Sequence, residues 1–287
     1  MKQIIKLLMV MLMLGGVACT TNDLDGGNQD NNDTNELHNQ IWYTATEKVT
    51  PYNTNAFGAT IASNVWNETT GEGVITFDGE VTSIGDDAFA YCSSLASITI
   101  PEGVTSIGVL AFCGCLNLAS VTLPDSVTSI GAHAFANCRS LASITIPEGV
   151  TSIENNAFYN CESLASITIP EGVTSIGDNA FCGCSSLASI SIPDSVTSIG
   201  KGAFWSCSSL TSITIPDSVT SIEDFAFSGC SSLAEVYCKP ITPPSGGYAM
   251  FYDNASERKI YVPAESVEAY KTDWSNYADA IEGYDFE

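Results

Sequence analysis

The chain has 287 residues and carries 33 acidic side chains against 9 basic ones, a formal net charge of −24. A body this acidic repels the phosphates of nucleic acids and anionic lipids, which excludes both as partners. The length allows one or two domains with a substantial core.

The N-terminus resembles a bacterial lipoprotein export signal. Lys2 and Lys6 precede the apolar run Leu7–Leu14, which is too short to span a membrane as a stable helix. The sequence LGGVAC that follows resembles a lipobox, so we expect residues 1–18 to be removed and Cys19 to be lipidated. An ordinary signal peptide with an incidental cysteine is the alternative. We therefore expect a protein on the outer membrane and cell surface, held there by its lipid alone.

Two segments separate this signal from the repeats. Residues 19–35 are rich in Asn and Asp with a single aliphatic side chain, Leu24, and predict a flexible acidic tether. Residues 36–80 mix aromatic and β-branched residues with glycine turn signals, and they predict a small β-structured N-terminal cap.

Residues 81–241 repeat with a period of 23 residues. Seven units follow V-T-S-I-x-x-x-A-F-x-x-C-x-x-L-x-x-[IV]-x-[IL]-P-[DE]-[GS], although the seventh departs from it at Cys238 and Lys239. Alternation in Leu95–Ile100 predicts a short half-buried strand that Pro101 ends. One unit has no partner for its apolar face, but coils stacked about 4.8 Å apart bury it against the next copy. We predict a mainly β solenoid of seven 23-residue coils.

This motif resembles the BspA-like leucine-rich repeats of surface proteins from anaerobic bacteria. The resemblance covers residues 81–241 and implies a leucine-rich-repeat fold and a role in adhesion. One departure is that Gly103, Ser126 and their equivalents occupy the slot where many such solenoids place a buried Asn or Cys. Residues 242–287, with a KIYVP strand and apolar residues at helical spacing, predict a strand-helix C-terminal cap.

The eleven cysteines of the sequence are predicted to be mainly structural. Seven recur every 23 residues, and stacked copies would lie within disulfide range. We nevertheless expect a column of reduced, buried thiols that act as small apolar side chains, with disulfides as the alternative. Two CGC sequences, at Cys113/Cys115 and Cys182/Cys184, lack further metal ligands nearby. No metal or cofactor is predicted.

Catalysis has no support in the sequence. His38 and His133 are the only histidines, and His133 occupies a variable slot of the repeat. Because no base is positioned beside the abundant serines and no phosphate-binding glycine loop occurs, we predict that the protein is not an enzyme.

Three sets of repeated or variable residues are candidates for binding. Two residues of each strand face outward, because residues two apart share a face. The resulting hydroxyl array consists of Ser97, Thr99, Ser120, Thr122, Ser143, Thr145, Ser166, Thr168, Ser189, Ser191, Ser212 and Thr214. An acidic column follows the strands, either as a solvated face or as a site for divalent cations. It consists of Glu102, Asp125, Glu148, Glu171, Asp194 and Asp217. Tyr159 and Trp205 interrupt the otherwise small residues of the loop after Ala-Phe.

Two functions from different classes fit these features. The first is a monomeric, lipid-anchored surface protein that binds host proteins, other cells or glycans along its solenoid. The alternative is a passive spacer without a ligand, which the near-identity of the repeats favours.

Overall fold

The computed structural model describes residues 38–286. The predicted signal, Cys19 and the acidic tether therefore lie outside the described residues and stay predictions. Within the described range, no helix has both the length and the apolar character that a membrane crossing requires.

Three antiparallel strands form the N-terminal part: β1 (Gln40–Ala45), β2 (Ile61–Asn67) and β3 (Glu72–Phe77). Strand β3 lies between β1 and β2. The other edge of β1 pairs antiparallel with β5 (Leu95–Thr99), the first long strand of the repeats. This pairing covers a strand edge that would otherwise be open to another chain.

Most repeats contribute a longer strand on one side of the coil and a two-residue strand on another side, and the coil with Ser191 has a single bridge in place of the longer strand. After β5, the longer strands are β7 (Ser120–Thr122), β9 (Ser143–Thr145), β10 (Ser166–Thr168), β13 (Ser212–Ile215), β15 (Glu235–Cys238) and β17 (Lys259–Pro263). The short ones are β4 (Ser83–Ile84), β6 (Ser106–Ile107), β8 (Ser129–Ile130), β11 (Ser175–Ile176), β12 (Ser198–Ile199), β14 (Ser221–Ile222) and β16 (Ser245–Gly246). Neighbouring coils pair in parallel, with equivalent repeat positions opposite each other.

The third side of each coil is a turn segment that holds the Ala-Phe pair. Its backbone pairs with the next coil, as in the hydrogen bond from the Phe89 amide to the Ala111 carbonyl at 2.8 Å. Two residues four apart in each of these turns have left-handed backbones, for example Asp87 (φ 58°) and Tyr91 (φ 59°). Asn, Asp and Gly occupy many of these positions because they tolerate this conformation best.

A column of stacked phenylalanines runs through the core. Adjacent rings from Phe89 to Phe251 lie 5.1–5.6 Å apart and within 14° of parallel. Phe57 from the N-terminal segment adds a ring 5.5 Å from Phe89. The predicted leucine-rich-repeat solenoid is confirmed, but the stack has about nine coils, because a degenerate coil extends the seven regular units at each end.

The last coil has no exact copy of the motif, yet it stacks in register. Ser245 pairs with Ser221 and Ile260 pairs with Val236 at spacings of 24 residues, because residues 239–244 include one extra position. The repeat motif is lost after Pro240 in the sequence, whereas the structure continues the same columns.

The predicted strand-helix ending is also confirmed. A 3-10 turn at Ala264–Ser266 leads into helix α1 (Val267–Asp273), followed by a 3-10 segment at Ser275–Ala280 and strand β18 (Ile281–Tyr284). The side chain of Trp274 is buried against the last coil and donates a hydrogen bond to the Pro244 carbonyl at 3.0 Å.

We predict that Phe158→Ala lowers the free energy of unfolding by about 3–5 kcal/mol, because it leaves a ring-sized cavity between Phe135 and Phe181. Chemical denaturation followed by circular dichroism measures the change. Tyr159→Ala, at the half-buried neighbouring position, is the control and is expected to cost much less. Equal losses in the two variants would contradict the dominant role of the ring column.

Candidate binding face

The structure places the hydroxyl array on one exposed side of the solenoid. Ser97 lies opposite Ser120, Thr99 opposite Thr122, and Thr145 opposite Thr168. A bridge links Thr168 to Ser191, while Ser212 and Thr214 belong to β13 in the next sheet. Between the two hydroxyl positions of each strand, an Ile or Val points into the core. The array is therefore a lattice of two adjacent columns with the spacing of the strands.

Other repeated hydroxyls are used by the solenoid itself. The Thr128 hydroxyl donates to the Thr105 carbonyl of the preceding coil at 3.3 Å, and Thr197 and Thr220 do the same in later coils. Ser126 likewise donates to the Val104 carbonyl at 2.7 Å. These side chains hold neighbouring coils together.

By contrast, the hydroxyls of the array make almost no hydrogen bonds to the described part of the protein. Within residues 38–286, Ser97 is the one array member whose hydroxyl hydrogen-bonds to the protein, with the Thr44 hydroxyl at 2.7 Å. The exposed members further along the stack keep their donors and acceptors directed to solvent. They are available to an external partner.

At both ends of the stack, other residue types replace the serines and threonines of the two columns. At the N-terminal end, Trp42 of β1 lies opposite Thr99. At the C-terminal end, Glu235 takes the place of a serine opposite Ser212, and Tyr237 takes the place of a threonine opposite Thr214. The hydroxyl lattice is thus bounded by aromatic side chains.

A tyrosine cluster continues the array at its C-terminal end, and the sequence analysis missed it. The rings of Tyr237 and Tyr261 stack 5.0 Å apart, and the ring of Tyr284 lies 5.5 Å from each. The signal was present for Tyr261, because KIYVP aligns with SITIP and puts Tyr in the slot of Thr214. Tyr284 has no such signal, since β18 lies outside the repeats.

The structure does not bring Tyr159 and Trp205 together. Buried Cys182 occupies the equivalent position in the coil between them, and Tyr159 is half-buried. Trp205 is exposed and lies 6.3 Å from Phe225, whose ring contacts Tyr248 edge-on at 5.5 Å. One aromatic surface of the turn side therefore lies on the last regular coils, and Tyr52 and Tyr91 form a second exposed pair at the N-terminal end.

The ten cysteines in the described part of the chain are free thiols. Six of the seven repeated cysteines are buried and donate to a phenylalanine carbonyl of the preceding coil, as Cys161 does to Phe135 at 3.2 Å. Cys115, Cys138, Cys184, Cys207 and Cys230 repeat this contact. The seventh, partly buried Cys92, donates instead to the Thr50 carbonyl at 3.4 Å. Each of the phenylalanine carbonyls also accepts a backbone amide of its own turn, as Phe135 does from the Cys138 amide, so the thiol ladder adds a second donor and links neighbouring coils.

Burial keeps these thiols protonated. It raises the pKa of Cys161 and Cys207 well above the ordinary value of 9.0, because a thiolate in the core would lose its hydration. Near the surface the same cause raises the pKa of Cys182 to about 11. Such thiols are poor nucleophiles at neutral pH.

The remaining polar candidates lie apart from one another. His133 has a left-handed backbone in a turn and Cys113 is buried in the neighbouring coil. Within residues 38–286, no three His, Cys, Asp or Glu side chains come together in a group that could hold a metal ion.

A groove of about 760 Å³ opens beside the tyrosine cluster. Its lining includes Asp217, Lys239, Glu265, Tyr284 and Phe286, which lie at or just after the C-terminal ends of four parallel strands. Aromatic and charged side chains meet here, whereas the regular coils present hydroxyls and an acidic column.

Comparisons with known proteins agree with this architecture. The sequence profile described as the BspA type leucine rich repeat region matches residues 59–173 and 151–276, with six copies. The chain belongs to this family. Repeat solenoids of the BspA type are typically surface proteins without enzymatic activity.

Two solved structures are similar to this chain. A leucine-rich-repeat protein of Treponema pallidum is 30% identical with a TM-score of 0.52, over 69% of this chain and 86% of that one. A leucine-rich-repeat protein of Bacteroides ovatus is also 30% identical with a TM-score of 0.52, over 70% of this chain and 62% of that one. The comparison with curated proteins gives no match.

The raised thiol pKa values predict a loss of stability in alkali. Above pH 9 the unfolded chain ionises its thiols while the folded chain keeps them protonated, so stability present below pH 9 is lost as the pH rises. Between pH 9 and pH 10 we expect about 1 kcal/mol to be lost per buried thiol. Urea denaturation at each pH measures the loss.

A matched pair of variants isolates the thiol contribution. Cys161→Ala is expected to reduce the loss between pH 9 and pH 10 by about 1 kcal/mol. Val173→Ala also removes a buried side chain but no titrating group, so its loss should equal that of the wild type. Identical pH dependence in all three proteins would contradict the assignment.

Proposed function

We propose that this protein is a lipid-anchored cell-surface protein that binds a macromolecule, either a protein or a glycan of a host or of another cell, through the hydroxyl array. Membership of a family of surface-type repeat proteins supports the location and the general role. The observation that carries the binding face is the division of the repeated hydroxyls. Most threonines of the V-T-S-I segment, and the serines that follow Pro-Asp, bond to the preceding coil. The array instead faces solvent in two adjacent columns, and the serines of the short strands, such as Ser129, add a single exposed column elsewhere on the coil.

The geometry of the array suits an extended ligand. Its hydroxyls both donate and accept hydrogen bonds, and they repeat at the strand spacing over six coils. Single hydrogen bonds to solvent-exposed hydroxyls contribute little, so affinity would come from many of them acting along one polymer or one large interface. The net charge of −24 argues against polyanionic ligands.

A passive spacer is the second candidate, and the near-identity of the repeats favours it. A spacer needs only length and stability, both of which the stacked core supplies. The two functions differ in one measurable property, because a spacer has no ligand that a change on the array would displace.

We expect Thr145→Arg to reduce binding at least tenfold, because a long side chain at the centre of the array blocks close approach. Binding of the purified protein to arrays of extracellular-matrix proteins and glycans, followed by titration of any hit, measures the effect. Thr151→Arg is the matched control, since Thr151 is exposed in the same region but outside the array. No hit by the wild type would support the spacer, and equal affinity of the two variants would exclude the array as the binding face.

The lipid anchor has a separate test. We expect Cys19→Ala to move the protein from the membrane fraction to the soluble fraction, because the only proposed attachment is lost. Immunoblots of fractionated cells measure the shift, and protease treatment of intact cells tests surface exposure. Retention of the variant in the membrane fraction, or protection of the wild type from protease, would contradict the proposed location.

A further inference from the structure

The groove beside the tyrosine cluster lies where the period of the solenoid is broken. It is lined by residues at or just after the C-terminal ends of β13, β15, β17 and β18. Regular coils have Pro-[DE]-[GS]-Val after the strand, but here residues 239–244 read KPITPP and include one extra position. Three of these six residues are proline, which fixes the backbone of the groove wall. The cavity is therefore formed by a segment that departs from the regular repeat.

Aromatic rings form one side of the groove. Tyr284 is 43% exposed, and its ring lies 4.9 Å from Phe286 and 5.5 Å from Tyr261. Because Tyr284 lines the groove and also contacts the tyrosines that continue the array, groove and array form one continuous surface. A ligand that enters the groove meets ring faces first and then the hydroxyl lattice.

The charged groups of the groove select against anions. Asp217, Glu265 and Asp285 line it together with one cation, Lys239. Carboxylates accept hydrogen bonds and so suit a partner that offers several hydroxyl donors. A cavity of about 760 Å³ with aromatic walls and a few polar groups lies within the usual range for small-ligand sites, about 300–1,000 Å³.

The adjoining array argues for a carbohydrate over a protein. Protein interfaces derive most of their energy from apolar and aromatic anchors at their centre, whereas the exposed positions of the array are serine and threonine. A sugar chain offers hydroxyls to the array and to the carboxylates, and it offers apolar ring faces to the tyrosines.

We propose that the groove binds the end of an uncharged polysaccharide, which stacks on Tyr284 and extends from there across Tyr261 and Tyr237 onto the hydroxyl array. The proposal rests on the proposed function and narrows its ligand class to neutral glycans. It also assigns the principal contact to the C-terminal end of the stack rather than to the repeats alone.

Affinity electrophoresis of the purified protein in gels that contain mannan, xylan, laminarin, starch or galactomannan tests this proposal. We expect at least one of these neutral polysaccharides to retard the wild-type protein. Tyr284→Ala should weaken that binding at least tenfold, and Asp217→Asn, a change at an exposed position, should weaken it several-fold. Tyr248→Ala removes an exposed tyrosine on the turn side and should stay within twofold of the wild type. Thermal unfolding of each variant checks that it is folded.

Three results would overturn the proposal. The first is that no neutral polysaccharide retards the protein, and the second is that Tyr284→Ala and Asp217→Asn bind as the wild type does. The third is that an oligolysine peptide, and no polysaccharide, binds in a manner that Tyr284→Ala abolishes, which would make the groove a site for cationic peptides. If the protein binds a protein ligand in a manner sensitive to Thr145→Arg but binds no polysaccharide, this proposal fails while the proposed function stands.

Discussion

The packing of each side chain on its own copy in the next coil is the constraint on which the rest of the structure depends. Phe135, Phe158 and Phe181 are fully buried and touch one another at 5.5–5.6 Å with their planes within 3°. An inserted residue within a strand or an Ala-Phe turn would shift the side chains of that coil out of their slots, so the one extra position is accommodated in the turn at residues 239–244. The 23-residue spacing is therefore a consequence of burial, and functional requirements need not be invoked to explain it.

Hydrogen bonds between coils follow from the same register. Buried turn carbonyls accept a backbone amide of their own turn, and the repeated cysteine of the next coil supplies a second, weak donor. Thr128 and its equivalents supply stronger donors at the coil edge. Most members of both sets are used by the fold, so their repetition carries no information about a ligand. The array repeats with the same period. In the part of the chain that the structure describes, Ser97 is the one member whose hydroxyl hydrogen-bonds to the protein.

The regular coils could be predicted from sequence because the 23-residue period identifies each core position by its recurrence. Phe57 and Phe251 could not, since the spacings to their neighbours in the column are 32 and 24 residues and the flanking motif is lost. The outward placement of the hydroxyls followed from strand alternation, whereas their freedom from internal hydrogen bonds required the structure. Tyr284 reaches the array through a strand outside the repeats, and only the fold brings it there.

Near-identical coils make a poor specific epitope, because every position on them recurs one coil further along. A ligand bound only to the array would slide among equivalent registers. Specificity then has to come from a place where the repetition stops. The N-terminal and C-terminal ends of the stack differ in this respect. Strand β1 closes the N-terminal end with an antiparallel pairing, while the C-terminal end carries the extra residue, the proline-rich wall and the tyrosine cluster. An array that supplies many weak contacts and an end that supplies a unique one would together fix a polymer in a single register.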